Sequence, residues 1–513
     1  MINKRENSDV GGGKMQLTLL YDGESVGEVS EEFSLPDYQA EVSRIVCVRP
    51  QFLLENKYIS DTGSGVFLEI GGTVTYSVIY TDADGELSCV PLSSAYEAKI
   101  PLSEVSEHTK LSFKCESTSF RATAPRRLSL KTKVRCRVRA FKELKAEGKI
   151  TPASTSDEIY LERCEKTALA PEIKEISLKN VKMSETLGTL GGSVKPIWCD
   201  AYVSLSEVRC ENGYVKASGE ATVKCLVSTE IGEGVVEKRM KIVEEIEADG
   251  AQSGDMVSVL PICTALSLSS EEKEGETALY FDLTCDLTGE VIRNLEKNLL
   301  ADAYSTKHNS TATYKELEYL CAIKASNSSV SVLEEKKRSE RDGEAVVCTL
   351  GDVSWERTEI KGTKACHIGK LSVGVIVKSE SSLGNEKYSL ETYELPIKYE
   401  EELSRASKTV LPICDFSLGA LVARCENDRI IISAEVYAST SIYEKCTEKI
   451  LSELNIKTDE EIKNERACVR VCFPREGEAL WDVCKRYHAP LAKICAQNEL
   501  ERNTTTLPKY LII

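Results

Sequence analysis

Histidine is scarce in this 513-residue chain, with four copies, and so are tryptophan, with three, and methionine, with five. His108, His308, His367 and His488 stand in four unrelated contexts, none beside a nucleophile motif, so no base for Cys or Ser catalysis can be named. No Cys-x2-Cys pair occurs. The nearest approaches, Cys468-Val-Arg-Val-Cys472 and Cys366-His367, lack a second half at zinc-site spacing. Gly11-Gly-Gly-Lys14 has neither the spacing nor the preceding strand of a phosphate loop. The run Glu400-Glu401-Glu402 reads as a solvated linker rather than a reactive carboxylate pair. The expectation is a protein that is not an enzyme and carries no cofactor or metal. No apolar run approaches the ~20 residues of a membrane span, and Met1 to Lys14 is too polar for a secretory leader, which predicts a cytoplasmic protein. Basic residues are outnumbered 65 to 82, and a net charge of −17 disfavours nucleic acid as a partner.

What the chain does have is 42 % hydrophobic residues, 29 % charged residues and twenty cysteines. That balance is a folded protein's, and the length suits three or four domains. Without an export signal the cysteines read as reduced thiols used as small core residues.

Three sequence markers recur at intervals of about 150 residues. The first is Arg44-Ile-Val-Cys47, Lys195-Pro-Ile-Trp-Cys199 and Ala345-Val-Val-Cys348. A glycine-led run follows from Gly72, Gly219 and Gly369, and a third marker ends at Cys115, Cys263 and Cys414, the last two as Val-Leu-Pro-Ile-Cys. One register relates all three, predicting repeated modules at 15–150, 165–305 and 310–455. Inside them the apolar period is two, as in Val74, Tyr76, Val78 and Tyr80 or Leu371, Val373, Val375 and Val377, which is the period of strands. Turn clusters at Asp82–Gly85, Glu211–Gly213 and Ser381–Gly384 separate the runs. The fold class predicted is mainly β, with three β-sandwich-like modules. Lys131, Lys133, Arg135, Arg137 and Arg139 alternate with apolar residues and read as one solvated strand face. Glu444 to Arg466, rich in Lys and Glu, reads as a helical or flexible linker.

From 466 to 513 the pattern changes. A strand through Cys468–Phe473 and a turn at Pro474–Gly477 precede Leu480, Val483, Cys484 and Tyr487, one stripe of a short helix. Pro490 suits the first position of a second helix bearing Leu491, Ile494 and Cys495. A polar loop from Gln497 to Thr506 leads to a closing strand at Tyr510–Ile513. This segment carries +3 against −20 for the rest, a charge suited to an acidic protein surface.

The set resembles the LysM domain: Gly477-Glu-Ala-Leu-Trp481 in place of the family's usual G-D-T-L-W, Asp482–Tyr487, Leu491, Ile494, Asn498 and Leu511-Ile512. The resemblance implies a βααβ unit whose groove lies between Gly477, Glu478, Ala479 and Leu480 on one side and Asn498, Glu499 and Leu500 on the other, with Trp481 in the supporting core. Glu478-Ala479 replaces Asp-Thr, and no proline follows Asn498, both where LysM domains contact N-acetylglucosamine-containing glycans. Three cysteine-bearing β modules followed by one LysM look like the SipL-like clostridial spore-coat morphogenesis proteins. That resemblance implies an intracellular scaffold for spore coat assembly at the forespore surface, binding the coat-basement ATPase, stage IV sporulation protein A, through LysM. The alternative is an envelope protein that binds peptidoglycan glycan through LysM, with the β modules as a stalk.

Overall fold

The computed structural model describes residues 15–145, 148–151, 160–337, 345–380, 386–407, 409–426, 428–462 and 470–513. Gly11–Lys14, Cys468 and the Ser381–Gly384 turn lie outside them. The protein is mainly β, built from several antiparallel sheets with two short helices near its C-terminal end.

The first six strands are β1 (Met15–Ser34), β2 (Arg44–Thr62), β3 (Gly65–Thr81), β4 (Leu87–Leu102), β5 (His108–Ala124) and β6 (Arg127–Lys145). They pair as two sheets, β1-β6-β5 and β2-β3-β4. After the short β7 (Lys149–Thr151) come β8 (Leu161–Gly191), β9 (Lys195–Glu211), β10 (Tyr214–Thr229), β11 (Gly232–Glu247), β12 (Met256–Lys273) and β13 (Glu276–Ser305). Their sheets are β8-β13-β12 and β9-β10-β11, the same pairing in the same order. It occurs again in β14 (His308–Lys337), β15 (Ala345–Lys361), β16 (Lys364–Glu380), β17 (Glu386–Glu402), β18 (Val410–Glu426) and β19 (Arg429–Glu461). In each group the first strand pairs with the last, and the three sequence markers fall on the second, third and fifth strands.

The marker glycines have a steric cause. A Cβ on Gly72, Gly219 or Gly369 would collide with the carbonyl oxygen of Leu53, Ser204 or Ser354 on the adjoining strand. Each sits beside a register shift, where an extra residue bends a strand too long to stay flat.

Each group buries apolar side chains between its two sheets. Val74, Tyr76, Val78 and Tyr80 of β3 meet Leu128, Leu130 and Val134 of β6. Val223, Cys225 and Val227 of β10 meet Phe281, Leu283 and Cys285 of β13. Leu371, Val373, Val375 and Val377 of β16 meet Ile430, Ile432 and Val436 of β19. Burial of each large side chain contributes about 1.5–3 kcal/mol.

The three groups then join through equivalent residues. Ile79, Leu226 and Ile376, each seven positions after its marker glycine, share one cluster with Cys47, Trp198 and Cys348. Beside that apolar junction the Arg49 guanidinium donates to the Asp200 carboxylate and, at 3.3 Å, to the Gly351 carbonyl. One side chain of the first group thereby holds both of the others.

Three expectations are corrected here. The basic face of β6 is solvated only at one end: Lys131 and Lys133 are exposed, whereas Arg137 lies 4.2 Å from the Trp355 ring and Arg139 is 5 % exposed beneath the third group. From Glu444 to Glu461 the chain is no linker, because β19 continues through Glu461 with Ile450, Leu451 and Leu454 buried by pairing with β14, and residues 463–466 of that expected linker lie outside the described residues. Glu401 is not solvated either. It is buried at the end of β17, 2.7 Å from the Nε2 of an equally buried His367.

Candidate functional site

The C-terminal unit consists of β20 (Val471–Cys472), α1 (Leu480–Arg486), α2 (Leu491–Asn498) and β21 (Leu511–Ile512), the strands pairing antiparallel. Leu480, Val483 and Cys484 of α1 and Ile494 and Cys495 of α2 face Cys472 and Leu511 in one small core. The apolar stripes predicted both helices correctly. Pro490 is one position earlier than expected: it precedes α2, and its carbonyl accepts from the Lys493 and Ile494 amides.

The seven proposed groove residues flank this core. Gly477 has φ +75 in a turn closed by the Glu478 amide on the Arg475 carbonyl. Glu478 accepts from the Arg475 amide at 2.8 Å and the Arg486 guanidinium at 3.0 Å. Ala479 precedes α1 and has no side chain to cap it, leaving only backbone bonds to its carbonyl. Leu480 is buried, and Leu500 packs against the same core. Glu499 adopts the left-handed conformation that ends α2, which lets the Leu500 amide reach the Cys495 carbonyl. Asn498 is engaged throughout: its amide donates to the Ile494 and Ile512 carbonyls, and its oxygen accepts from the Ile512 amide. It fastens α2 to β21.

Trp481 does something the sequence reading missed. Its ring meets Tyr304 of β13 edge to face at 5.0 Å, and its Nε1–H donates to Asp302 at 2.8 Å. Lys485, one turn on, donates to both Asp302 oxygens at 2.7 Å and to Tyr314 of β14 at 2.8 Å. The Tyr304 hydroxyl donates to the Ala489 carbonyl, and His488 Nδ1 lies 3.0 Å from the Ser305 carbonyl. The unit is therefore docked on the ends of β13 and β14, with Trp481 in the seam instead of wholly within its own core. Burial pushes the Asp302 carboxyl up, and the bonds from Lys485, Trp481 and Tyr314 outweigh it, leaving the group below its ordinary value. The only sequence signal for the docking was the aromatic itself, because Asp302 lies 179 residues away.

The ribbon turns a different face to solvent. Cys472 and Leu511 point inward at 2 % and 0 % exposed, so strand alternation turns Val471, Phe473 and Tyr510 outward at 52 %, 66 % and 57 %. Extending the register sets Phe473 opposite Tyr510. Arg470, Arg475 and Lys509 are exposed around them, against Glu476. A contiguous apolar patch with a basic rim is the kind of surface that partners cover.

Among the described residues no group of three or more His, Cys, Asp or Glu side chains is placed to hold a metal ion, and no helix is long and apolar enough to cross a membrane. Compared with known families, curated proteins and solved structures, the chain matches none.

Proposed function

We propose that this chain is a non-enzymatic scaffold in which three β-sandwich-like modules carry a LysM-like terminal unit that grips another protein. On this reading it works in the cytoplasm of the mother cell at the forespore surface. There it binds the coat-basement ATPase, stage IV sporulation protein A or a relative, and so takes part in spore coat assembly. The observation that carries the reading is the division of labour in the terminal unit. The side with Trp481 and Lys485 is consumed by docking to the chain's own body, while Val471, Phe473 and Tyr510 are held out bare on the ribbon. A docked unit presents its free face in a defined orientation, so little ordering entropy opposes association. The basic rim favours an acidic partner, consistent with the +3 charge of 466–513.

Co-precipitation with the ATPase tests this. The full chain is expected to retain it and a chain ending at residue 462 to lose it. Equal retention by both would refute the reading. Peptidoglycan glycan as the ligand is the competing outcome. The engagement of Asn498 and the burial of Leu480 leave few free groups in that groove for a sugar, and titration with chitin oligosaccharides is expected to show no saturable binding.

A further inference from the structure

Among the nineteen described cysteines only two pairs stand directly opposite each other on neighbouring strands. They are Cys199 with Cys225 on β9 and β10, and Cys263 with Cys285 on β12 and β13. Opposed residues of an antiparallel pair have Cα atoms ~4.5–5.5 Å apart, inside the ~4.4–6.8 Å span of a disulfide. The two pairs differ in access. Cys263 is exposed and Cys285 is buried behind it, whereas Cys225 is buried and Cys199 mostly so. Cys263 lies in the seam where β12 passes β9, its thiol 3.7 Å from the Ala201 carbonyl. The register shifts between Cys263 and Ala265, and the additional residue there, Thr264, loosens the backbone beside the thiol.

We infer that Cys263 and Cys285 are a disulfide-forming site, in which the open thiol meets a small-molecule disulfide first and the sealed thiol then closes a cross-strand bond stapling β12 to β13. With oxidised glutathione as oxidant the chemistry balances. Cys263 loses its proton and its sulfur attacks glutathione disulfide, breaking that bond and releasing one reduced glutathione. Cys285 then loses its proton and attacks the Cys263 sulfur, forming the protein disulfide and expelling the second glutathione. Two protein thiols are oxidised and one glutathione disulfide is reduced to two thiols.

The Cys263 residue is exposed, but its sulfur is packed against the β9 backbone, and that local desolvation pushes the thiol up to about 12, with Asp200 and Cys285 adding to the rise and Arg49 opposing it. Cys285 is pushed up to about 11, again chiefly by burial. The attacking thiolate is therefore scarce at neutral pH, and closure accelerates roughly tenfold per pH unit through the mildly alkaline range.

The test uses the native full chain incubated with oxidised glutathione at about pH 8, quenched by alkylation and mapped by peptide mass spectrometry. The expected result is a Cys263–Cys285 link that appears before any Cys199–Cys225 link and retains no glutathione. Cys285→Ser should instead leave glutathione trapped on Cys263. Wild-type protein that keeps a stable glutathione on Cys263, leaves both thiols open to alkylation, or links Cys199 to Cys225 first would overturn the inference. The wild-type measurement decides even if the variant folds poorly.

Discussion

Trp481 and Asp302 are joined by a 2.8 Å hydrogen bond between the last unit of the chain and the end of β13. That bond converts what reads in sequence as a loosely appended domain into a fixed part of the molecule. Its neighbours set the strength: Lys485 fills both carboxylate oxygens, and Tyr304 covers the indole.

Trp481→Ala is expected to weaken docking by about 2–4 kcal/mol, the cost of truncating an aromatic anchor. Asp302→Ala should cost about 1–3 kcal/mol by stranding the indole N–H and the ammonium. Amide hydrogen exchange in α1 checks both: protection should fall there while β3, β10 and β16 stay protected. Unchanged protection in α1 would contradict the docking.

The docking should depend on pH in a stated direction. Asp302 is held below its unfolded value of ~3.9, so its contribution is complete above that value and disappears as pH falls through the lower native one. Burial lowers Lys485, but its bonds to Asp302 and Tyr314 more than compensate and raise it, so its share persists until pH climbs through that raised value. A pH series of α1 hydrogen exchange, corrected for intrinsic rates, should be flat from about pH 5 to 9. A midpoint near neutrality that persists in a His488→Gln variant would contradict this assignment.

Arg49 should govern cohesion of the three β groups. Arg49→Ala removes the cation that satisfies Asp200 and touches Gly351, leaving a buried carboxylate unpaired at a cost of about 3–5 kcal/mol. Thermal unfolding measures it. An Arg49→Ala, Asp200→Ala double variant should recover part of the loss, since the Asp200 carboxylate is then no longer stranded without its cation.

Gly219→Ala should be costly although the glycine lies within a strand, because the new methyl meets the Ser204 carbonyl and the backbone must move. A loss above ~1 kcal/mol is expected by chemical denaturation. Gly234, in the same sheet with open space around it, should accept alanine with little change.

What could be read in the sequence was what local constraint imposes. The marker glycines recur because a bend is needed at the same point of each group, and alternating side chains such as Val74 to Tyr80 point into one core. What could not be read depends on distant partners. Glu444 to Glu461 has the composition of a helical linker, but pairing with β14 overrides propensity. The cations of β6 look solvated until Trp355 and Asp415 arrive from the third group. The two short helices were legible from their apolar stripes, while the docking of Trp481 and the bare ribbon beside Asn498's clamp required the folded chain.

The most direct test of the central claim is equilibrium binding of the coat-basement ATPase to the intact chain and to a Phe473→Asp, Tyr510→Asp variant. Both side chains are already in water, so folding should be unaffected. The account predicts at least a tenfold weaker complex for the variant, about 1.4 kcal/mol or more. A variant that binds as tightly as its parent would contradict it.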